Sequence, residues 1–463
     1  MKKKVLVAGC GISGIGAAKL LIWAGESVCM YDSRKDLDTD KIRSQVFENV
    51  TLKEGALREE NEPEFIFGEL PAQITDRVSY CVISPGIPLD MPFVQVLKDS
   101  GIPVWSEIEL AWHYGKGTVI GITGTNGKTT TTSLTEAVME NAFGKDRTFV
   151  VGNIGTAYTG KADKTDNDSI VVAEISSFQL ETILTFHPKV SAILNITPDH
   201  LNRHKTMENY IAVKESITKN QDKTDYCVLN YDDPALRAFG AGCPAKVVWF
   251  SSRHELDEGF FMREDALVCR MGGREEMLGK TKDFHLVGRC NYENIMAAAA
   301  IAVCMGVPFD VIRKTAMEFR AVEHRIEYTA VKKGVTYYND SKGTNPDAAI
   351  QGIRAMTTPT CLIGGGYDKG SAYDEWVEEF AGTVKYLVLI GQTAEDIAKC
   401  CDSHGFTAYE FADNMEEAVR LCAKHALPGE AVLLSPACAS WGMFDNYEQR
   451  GRIFEELVHK LPD

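Results

Sequence analysis

The sequence predicts an α/β protein with mostly parallel sheets, because short β-branched runs alternate with helical patterns along most of the chain. Two glycine-rich turns, at residues 9–14 and 124–130, each follow an apolar run and precede a helical pattern. The chain has 463 residues, and domains span roughly 100–200 residues. We therefore expect three α/β domains joined by short hinges, over residues 1–113, 114–320 and 321–463.

The first and last predicted domains repeat strand-then-helix signals, which indicates a Rossmann-like, doubly wound sheet in each. In the first, strands are expected at 5–8, 27–31 and 78–84, and helices at 15–24 and 107–113. In the last, strands are expected at 334–338, 360–363, 386–390, 408–411 and 431–434, and helices at 347–356, 373–380, 394–401, 415–425 and 449–460.

The central predicted domain has a less regular pattern. Its strands are expected at 119–122, 170–173, 190–194, 226–229 and 247–250, with helices at 207–218 and 292–305. Residues 252–282 are more polar and are expected to form a small antiparallel excursion. The helix at 292–305 is alanine-rich and apolar over a wide face, which is typical of a buried helix.

Composition limits the classes of partner. Hydrophobic residues make up 44% and charged residues 25%, as in soluble globular proteins. The formal net charge of −16 argues against nucleic acid or an anionic membrane as the main partner. No apolar stretch approaches the roughly 20 residues that span a bilayer. The 13 scattered cysteines indicate reduced thiols in a cytoplasmic protein, and their spacing argues against a zinc site.

The first glycine turn, residues 9–14, matches Gly-x-Gly-x-x-Gly after a strand, a turn that binds diphosphates. Asp32 closes the second predicted strand, where dinucleotide-binding folds place a ribose-binding acid. Taken alone, this pair predicts an NAD-dependent dehydrogenase. The same turn also binds other diphosphates, and a turn that only forms the fold is a further alternative. Residues 84–87 end another strand and would line the same crevice or form a plain turn.

The second glycine turn, residues 124–130, reads Gly-Thr-Asn-Gly-Lys-Thr-Thr and predicts a P-loop-type phosphate cradle. Lys128 would reach the terminal phosphates, and Thr129 would hold Mg²⁺. Ile122 stands where the longer P-loop signature has a glycine, so only the Gly-x-x-Gly-Lys-Thr form fits. The alternative is an ordinary strand-to-helix turn. Two diphosphate sites in one chain suggest ATP at this turn and a nucleotide-diphosphate substrate at the first.

Other candidates follow the ends of central strands. Glu174 ends the strand at 170–173 and is well placed for Mg²⁺ beside a phosphate loop. Glu181 is better explained as a solvated helix residue. His200 follows the strand at 190–194 and would contact a metal or a phosphoryl group, although a lone histidine is usually structural. Lys214 lies in the helix at 207–218, where spacing alone favours a solvated lysine.

Three loops of the last predicted domain, at 339–344, 364–369 and 435–440, each follow a strand, where ligands bind in such sheets. Arg325 supplies a permanent guanidinium for a phosphate. Lys342, Lys369 and Ser440 would jointly hold a small anionic substrate. Cys438 as a nucleophile is an alternative without an identifiable adjacent base.

Over essentially its whole length, the chain resembles the Mur ligase family, and most closely its D-glutamate-adding branch. The motifs that support the resemblance lie at 124–130, 174–181, 199–200, 324–325, 339–342, 435–440 and 446–451. Relatives that add alanine or a diamino acid tend to have Asp-Tyr-Ala-His where this chain has Asp340-Ser341-Lys342-Gly343. Tyr447 stands where phenylalanine also occurs in the family, and the loop at 364–369 varies among relatives.

The resemblance implies an ADP-forming, ATP-dependent amide ligase of peptidoglycan synthesis, a cytoplasmic and monomeric enzyme. It would add D-glutamate to UDP-N-acetylmuramoyl-L-alanine through an acyl phosphate. It implies two Mg²⁺ ions and a carbamylated Lys214, because carbon dioxide converts a neutral amine into a carboxylate that can face a metal. This reading replaces the solvated role that spacing favours for Lys214.

The resemblance also implies a role for each site residue, grouped by what it would contact. The catalytic set is Lys128, Glu174, His200 and Lys214, of which the last three, with Thr129, would contact metal. ATP would contact Gly124, Thr125, Asn126, Gly127, Lys128, Thr129, Thr130, Asn291, Asn294, Arg325 and Asp340. The UDP substrate would contact Gly11, Ser13, Gly14, Ser33, Arg34, Gly86 and Asn153. D-glutamate would contact Lys342, Thr344, Lys369, Ser440 and Tyr447.

Three classes of function remain as alternatives, and the first is another ligase of the same family. A folylpolyglutamate-type ligase would lack the N-terminal UDP-binding domain, and another Mur branch would take a different amino acid. A nicotinamide dehydrogenase would explain residues 9–14 and Asp32 but not the ATP cradle. A nucleotide sensor would bind ATP without releasing phosphate.

Overall fold

The computed structural model describes residues 3–48, 50, 62–71, 73–320, 323–368 and 370–462. The described residues of 1–279 and 294–316 form one compact unit, called here the first unit, and those of 280–293 and 317–463 form the second unit. The predicted domain bounds at 113/114 and 320/321 stay predictions. Within the described ranges, every helix is too short or too polar to cross a bilayer.

The N-terminal sheet of the first unit has five strands in the order β3-β2-β1-β4-β5, all paired in parallel. Its strands are β1 Lys4–Ala8, β2 Val28–Asp32, β3 Glu64–Phe67, β4 Val78–Ile83 and β5 Val104–Ser106. Its helices are α1 Ile12–Trp23, α2 Thr39–Phe47, α3 Ile74–Arg77, α4 Pro92–Asp99 and α5 Glu107–Tyr114. Both faces of β1 are buried, and the strand order reverses beside it, so a ligand crevice is expected at its carboxyl end.

The central sheet has nine strands in the order β14-β13-β12-β11-β10-β9-β6-β8-β7. These are β6 Thr118–Thr123, β7 Thr148–Gly152, β8 Ile170–Glu174, β9 Val190–Ile193, β10 Tyr226–Asn230, β11 Lys246–Ser251, β12 Gly259–Arg263, β13 Ala266–Met271 and β14 Arg274–Lys280. Its helices are α6 Lys128–Phe143, α7 Ser177–Leu180, α8 Leu201–His204, α9 Met207–Glu215, α10 Pro234–Gly240, α11 Arg289–Cys304 and α12 Phe309–Glu318. The parallel strand β6 lies between β8 and β9, so the loops after these strands share one edge.

The sheet of the second unit has six strands in the order β15-β16-β20-β17-β18-β19. These are β15 Glu327–Lys332, β16 Val335–Asn339, β17 Thr360–Gly364, β18 Val384–Leu389, β19 Tyr409–Phe411 and β20 Ala431–Leu434. Its helices are α13 Pro346–Arg354, α14 Asp374–Glu378, α15 Ala394–Ser403, α16 Met415–His425 and α17 Tyr447–Lys460. The edge strand β15 pairs antiparallel with β16, and the other pairs are parallel.

The α/β class and the three mostly parallel sheets are confirmed. The antiparallel excursion predicted within 252–282 is also confirmed, because β12 and β13 pair antiparallel and extend the central sheet. The strands β3, β5, β7 and β15 were not predicted. They are short or lie at sheet edges, where local patterning is weak because one flank lacks a neighbouring strand.

Candidate active site

The turn at 124–130 joins β6 to α6, as predicted. Gly124 and Gly127 have φ of 153° and 83°, backbone conformations that favour glycine. A Cβ on Gly127 would lie 2.2 Å from Oδ1 of Asn294. Gly127 is also the N-cap of α6, and no side-chain cap covers this 16-residue helix. The turn therefore presents a helix N-terminus that suits a phosphate.

Two lysines converge on this turn. Nζ of Lys128 donates to the carbonyls of Gly124 and Thr125 at 2.8 Å, and Nζ of Lys214 donates to the same Gly124 carbonyl at 2.8 Å. Lys214 is 1% exposed, so the solvated position that spacing favours is wrong. Burial lowers the pKa of Lys214 well below its ordinary value, and the charge of Lys128 lowers it further. The Lys214 amine is therefore more readily neutral than an ordinary lysine.

Glu174 ends β8 beside the turn and is buried. The adjacent loop after β7 fixes it, because Asn153 donates through its backbone N–H to the Glu174 carbonyl and through Nδ2 to Oε1 at 2.8 and 2.9 Å. Within the described chain, the buried Oε2 has no hydrogen-bond partner. A buried carboxylate oxygen without a donor fits a divalent cation such as Mg²⁺.

The loop after β9 is bonded directly to the same turn. Oδ1 of Asn195 accepts from the backbone N–H of Asn126 at 2.8 Å, and Oγ1 of Thr125 accepts from the N–H of Thr197 at 3.0 Å. His200 follows with φ of 54°, and its ring centroid lies 4.8 Å from that of Phe178. Its side chain is 49% exposed, so the imidazole remains accessible near the phosphate cradle.

Glu181 is not the solvated residue that the sequence predicted. Its carboxylate pairs with Nη2 of Arg203 at 2.5 Å, and only 11% of the side chain is exposed. His204, which is buried, lies 3.6 Å from the same carboxylate. The ion pair between Glu181 and Arg203 anchors α8, the short helix that follows His200. The sequence did not reveal it because the partners come from different elements.

Of the two asparagines predicted near adenine, Asn294 lies at the phosphate cradle, where its Oδ1 accepts from Oγ1 of Thr131 at 3.2 Å. Asn291 lies one turn earlier on α11 and is buried. Its Nδ2 donates to the Val287 carbonyl at 2.8 Å. Asn291 belongs to the second unit by its contacts, whereas Asn294 belongs to the first.

The first glycine turn closes tightly between β1 and α1. A Cβ on Gly14 would lie 1.8 Å from the Gly9 carbonyl oxygen, and a Cβ on Gly9 would lie 2.4 Å from Oγ of Ser84. Gly11 and Gly86 have open space around the same position and are exposed, which leaves room for a ligand. The buried Ser84 hydroxyl has no partner among the described residues, which fits an anion at this crevice.

Asp32 is engaged by the chain itself. Its two carboxylate oxygens accept from Nε and Nη2 of Arg34 at 3.0 and 2.9 Å, and the backbone N–H of Cys10 adds a further bond at 3.0 Å. The Arg34 guanidinium lowers the pKa of Asp32 to about 2. Both oxygens are thus occupied, which disfavours the ribose contact that a dehydrogenase needs. Ser33 and Arg34 remain at the exposed rim of this crevice.

A second group of predicted residues gathers at the carboxyl ends of β16 and β20, which pair directly. Oγ of Ser435 donates to Oδ2 of Asp340 at 2.7 Å. Burial raises the pKa of Asp340 to about 7, and the charge of Arg325 partly opposes that shift. In the described chain, the buried Nε of Arg325 has no hydrogen-bond partner. A guanidinium donor left without an acceptor suits a phosphate or a carboxylate.

Arg450, on α17, fastens the two loops of this group. The side chain is fully buried, and it donates to Oγ and the carbonyl of Ser341 at 2.9 and 2.7 Å and to the Cys438 carbonyl at 3.0 Å. Lys342, next to Ser341, places Nζ 5.5 Å from the ring centroid of Tyr447 at the start of α17. A lysine beside a helix N-terminus is a suitable site for a small carboxylate.

The remaining predicted residues of the second unit divide into three cases. The backbone N–H of Thr344 donates to the Lys342 carbonyl at 2.8 Å, and Ser440 is buried in the loop after β20. Lys369 lies outside the described residues. Cys438 is buried and its pKa is raised by that burial, which disfavours it as a nucleophile.

Sequence reasoning assigned no role to several residues that build these sites: Asn195, Thr197, His204, Tyr210 and Arg450. They act through contacts with other elements, such as the hydroxyl of Tyr210, which lies 3.2 Å from Oγ1 of Thr125. Arg450 had two signals in the sequence: it lies in the motif at 446–451, and it falls on the buried face of the otherwise amphipathic α17.

Three family models match the chain in order. Residues 3–106 match the Mur ligase MurD-like N-terminal domain, residues 122–302 the Mur ligase middle domain, and residues 324–438 the Mur ligase glutamate ligase domain. Among curated proteins, the chain is 52% identical to the UDP-N-acetylmuramoylalanine–D-glutamate ligase of Lachnospira eligens, over 99% of each chain. It is 43% identical to the protein of the same name from Clostridioides difficile, again over 99% of each chain.

Solved structures support the fold alone. UDP-N-acetylmuramate-alanine ligase MurC from Thermotoga maritima superposes with a TM-score of 0.58 at 17% identity, over 99% of each chain. A pseudomurein peptide ligase type C from Methanothermus fervidus gives 0.57 at 17% identity, over 99% of this chain and 100% of that one. With a relative half identical along its whole length, and with its phosphate cradle flanked by Glu174 and two lysines, this chain belongs to the Mur ligase family.

Proposed function

We propose that this chain is an ATP-dependent, ADP-forming ligase that joins D-glutamate to UDP-N-acetylmuramoyl-L-alanine. The observation that carries the proposal is the meeting of Lys128, Lys214 and the buried Glu174 around one phosphate cradle. The substrates are proposed from the names of relatives that match along the full length of the chain. The enzyme would act as a monomer in the cytoplasm, in peptidoglycan precursor synthesis, and so contribute to cell-wall formation, cell shape and division.

The proposed reaction must first activate the substrate carboxylate, because a carboxylate is too poor an electrophile to form an amide. The L-alanyl carboxylate oxygen attacks the γ-phosphorus of ATP, and the bond to the β,γ-bridging oxygen breaks to leave ADP and an acyl phosphate. The amine of D-glutamate then attacks the acyl carbon, and phosphate departs. Lys128 and the amides at the start of α6 stabilise the negative charge on the transferred group.

Among the described residues, the buried Oε2 of Glu174 has no hydrogen-bond donor, which supports a divalent cation there, and we propose Thr129 and His200 as its further ligands. When bound, Mg²⁺ would neutralise charge between the β- and γ-phosphates. Nδ2 of Asn153 donates to Oε1 of Glu174 at 2.9 Å. This bond fixes the orientation of the carboxylate and therefore of its second oxygen, Oε2. We extend the proposal to two ions, with the carbamate of Lys214 as a ligand of the second.

Substrate positions follow from the two other groups of residues. The open side of the turn at 9–14, with Ser33, Arg34 and Gly86, would hold the uridine diphosphate end of the substrate. Asn153 would face the acyl end. In the second unit, Lys342, Thr344, Lys369, Ser440 and the backbone of Tyr447 would hold D-glutamate.

The test is phosphate release from ATP in the presence of UDP-N-acetylmuramoyl-L-alanine, with D-glutamate, L-lysine or meso-diaminopimelate as the amine. We expect release with D-glutamate at a rate at least about 100-fold above the other two, since a site for a short carboxylate side chain rejects a longer one that carries an ammonium group. Lys128→Ala is expected to abolish ADP formation. Equal rates with all three amino acids would assign the chain to another branch, and normal turnover by Lys128→Ala would remove the proposed role of the cradle.

A further inference from the structure

A cluster of a histidine, a cysteine and an aspartate lies outside the site described above. Asp374 is the first residue of α14, Cys400 lies near the end of α15, and His404 is the C-cap of α15. One donor atom from each of the three lies within 4.8 Å of the other two. The proposed ligase reaction uses none of them.

The arrangement depends on the packing of α14 against α15. Cys400 and His404 are four residues apart, so they share one face of the helix end. The neighbouring Cys401 points into the hydrophobic core instead. Asp374 reaches the pair from the other helix, with Oδ1 at 3.0 Å from Nε2 of His404. Partial burial of the Cys400 thiol raises its pKa, and the negative charges of Asp374 and Glu378, which the thiol faces, raise it further.

Glu378 completes the surroundings of the histidine. Its Oε1 lies 4.0 Å from Nδ1 of His404, the ring nitrogen that faces away from Asp374. A carboxylate on the second ring nitrogen is the usual partner of a metal-bound histidine, because it fixes the ring and increases the basicity of the ligand nitrogen. One ring nitrogen thus bonds to a carboxylate of the three-residue set, and the other faces the carboxylate of Glu378 outside that set.

We propose that Asp374, Cys400 and His404 bind a zinc ion on the surface of the second unit, with Glu378 supporting the histidine. Zinc takes sulfur at about 2.3 Å, and nitrogen and oxygen at about 2.0–2.2 Å, so tetrahedral ligand atoms are separated by about 3.3–3.8 Å. The three donors already lie within 4.8 Å of one another, close enough for side-chain adjustment to bring them to that spacing. A thiolate with an imidazole and a carboxylate favours zinc over magnesium or calcium, which prefer oxygen ligands.

The ion would have access from solvent. Asp374 and Cys400 line a surface cavity of about 560 Å³, which leaves room for water as the fourth ligand. Lys399 also lines the cavity, but its ammonium pairs with Asp396 at 3.0 Å, on the helix that carries the cysteine. The sequence argument against zinc depended on the absence of paired cysteines. This set has a single cysteine and takes its ligands from two helices, so cysteine spacing along the chain does not reveal it.

The experiment uses the reduced full-length protein, stripped of metal and held in excess Mg²⁺ so that oxygen-only sites are occupied. Zinc is titrated by competition with a chromophoric chelator, and cobalt is used as a spectroscopic substitute. We expect one zinc equivalent and, with cobalt, a sulfur-to-metal charge-transfer band. Cys400→Ser and His404→Ala should each weaken binding at least about 100-fold, and Glu378→Gln about 10-fold.

Glu375→Gln is the matched control, because it removes an exposed carboxylate next to Asp374 on α14 that lies outside the ligand set. It should bind zinc as the unaltered protein does. Circular dichroism and ligase activity without zinc check that each variant folds. If Cys400→Ser does not fold, His404→Ala is the variant that tests the site. The proposal is overturned if the unaltered protein binds no zinc, if the ligand variants bind it equally well, or if the cobalt complex lacks the sulfur band.

Discussion

At the scale of single residues, the most consequential arrangement is the pair of lysine ammonium groups on the Gly124 carbonyl. Lys128 is exposed enough to meet a phosphate, whereas Lys214 is buried behind it. Two cations that share one acceptor repel each other, and the buried one loses its proton more easily. Since only the neutral amine reacts with carbon dioxide, this environment favours the carbamate that the family resemblance implies.

We expect Lys214→Arg to lower the turnover number at least about 100-fold, because a guanidinium cannot form a carbamate and would leave a positive charge where a ligand is needed. Steady-state phosphate release measures the loss. Labelled carbon dioxide and carbon NMR should detect a carbamate signal in the unaltered protein that the variant lacks. Lys223→Arg, at an exposed position of the same unit, is the matched control and should retain both activity and signal.

The proposal for Lys214 would be wrong if its arginine variant kept normal turnover, or if the labelled signal persisted without the lysine. Removing dissolved carbon dioxide offers an independent check. The unaltered enzyme should lose activity slowly and regain it when bicarbonate is added.

At the scale of elements, the strand–turn–helix from β6 to α6 builds the phosphate cradle from local rules. The helix begins at a glycine with φ of 83°, so its first amides face outward without a competing side chain. The sequence predicted this element fully, because glycine positions, an apolar strand and a lysine are all local signals. It did not predict that Asn294 of α11 closes over the turn.

That contact gives a prediction with an internal control. Gly127→Ala should reduce ATP-dependent phosphate release at least about 100-fold, because its Cβ would lie 2.2 Å from Oδ1 of Asn294 and displace the turn. Gly144→Ala, at the other end of the same helix, shares the positive φ of 101° but has no atom within 4 Å of the new Cβ. Both changes should cost about 1–3 kcal/mol of stability from backbone strain.

The measurement is ATP turnover together with urea unfolding. Similar stability losses with activity lost only in Gly127→Ala would support the steric explanation. Equal loss of activity in both variants would mean that strain alone, and not the contact with Asn294, damages the cradle.

At the scale of the whole molecule, each compact unit has its own buried cores. Residues of the N-terminal and central sheets share one core in the first unit, from Val5 to Ala245, while the second unit is built around Leu362 and its neighbours. The carboxylate of Glu109 ties α5 to the central segment by accepting from the N–H groups of Leu184, Thr185 and Phe186 at 2.7–3.0 Å. We therefore expect the first unit to unfold cooperatively, although the sequence predicts two domains within it.

Leu362→Ala should destabilise the second unit by about 2–5 kcal/mol, because Leu362 is fully buried between the sheet and its helices. Hydrogen exchange should accelerate in β17 and β20 and stay unchanged in β6, since the units have separate cores. Leu427→Ala, which is 58% exposed in the same unit, should leave exchange unaltered. Faster exchange in β6 of the Leu362 variant would show that the two units unfold together.

The sequence alone determined the fold class, the phosphate cradle, the glycine turn of the first sheet and the family, because each depends on residues close together in the chain. Only the tertiary structure decided the shifted pKa values of Lys214 and Asp340, the ion pair of Glu181 with Arg203, and the convergence of Asp374, Cys400 and His404. The physical reason is that burial and neighbouring charges set the pKa of a side chain, and packing sets which donor atoms lie close together. Both are fixed by packing between elements that lie far apart in the sequence.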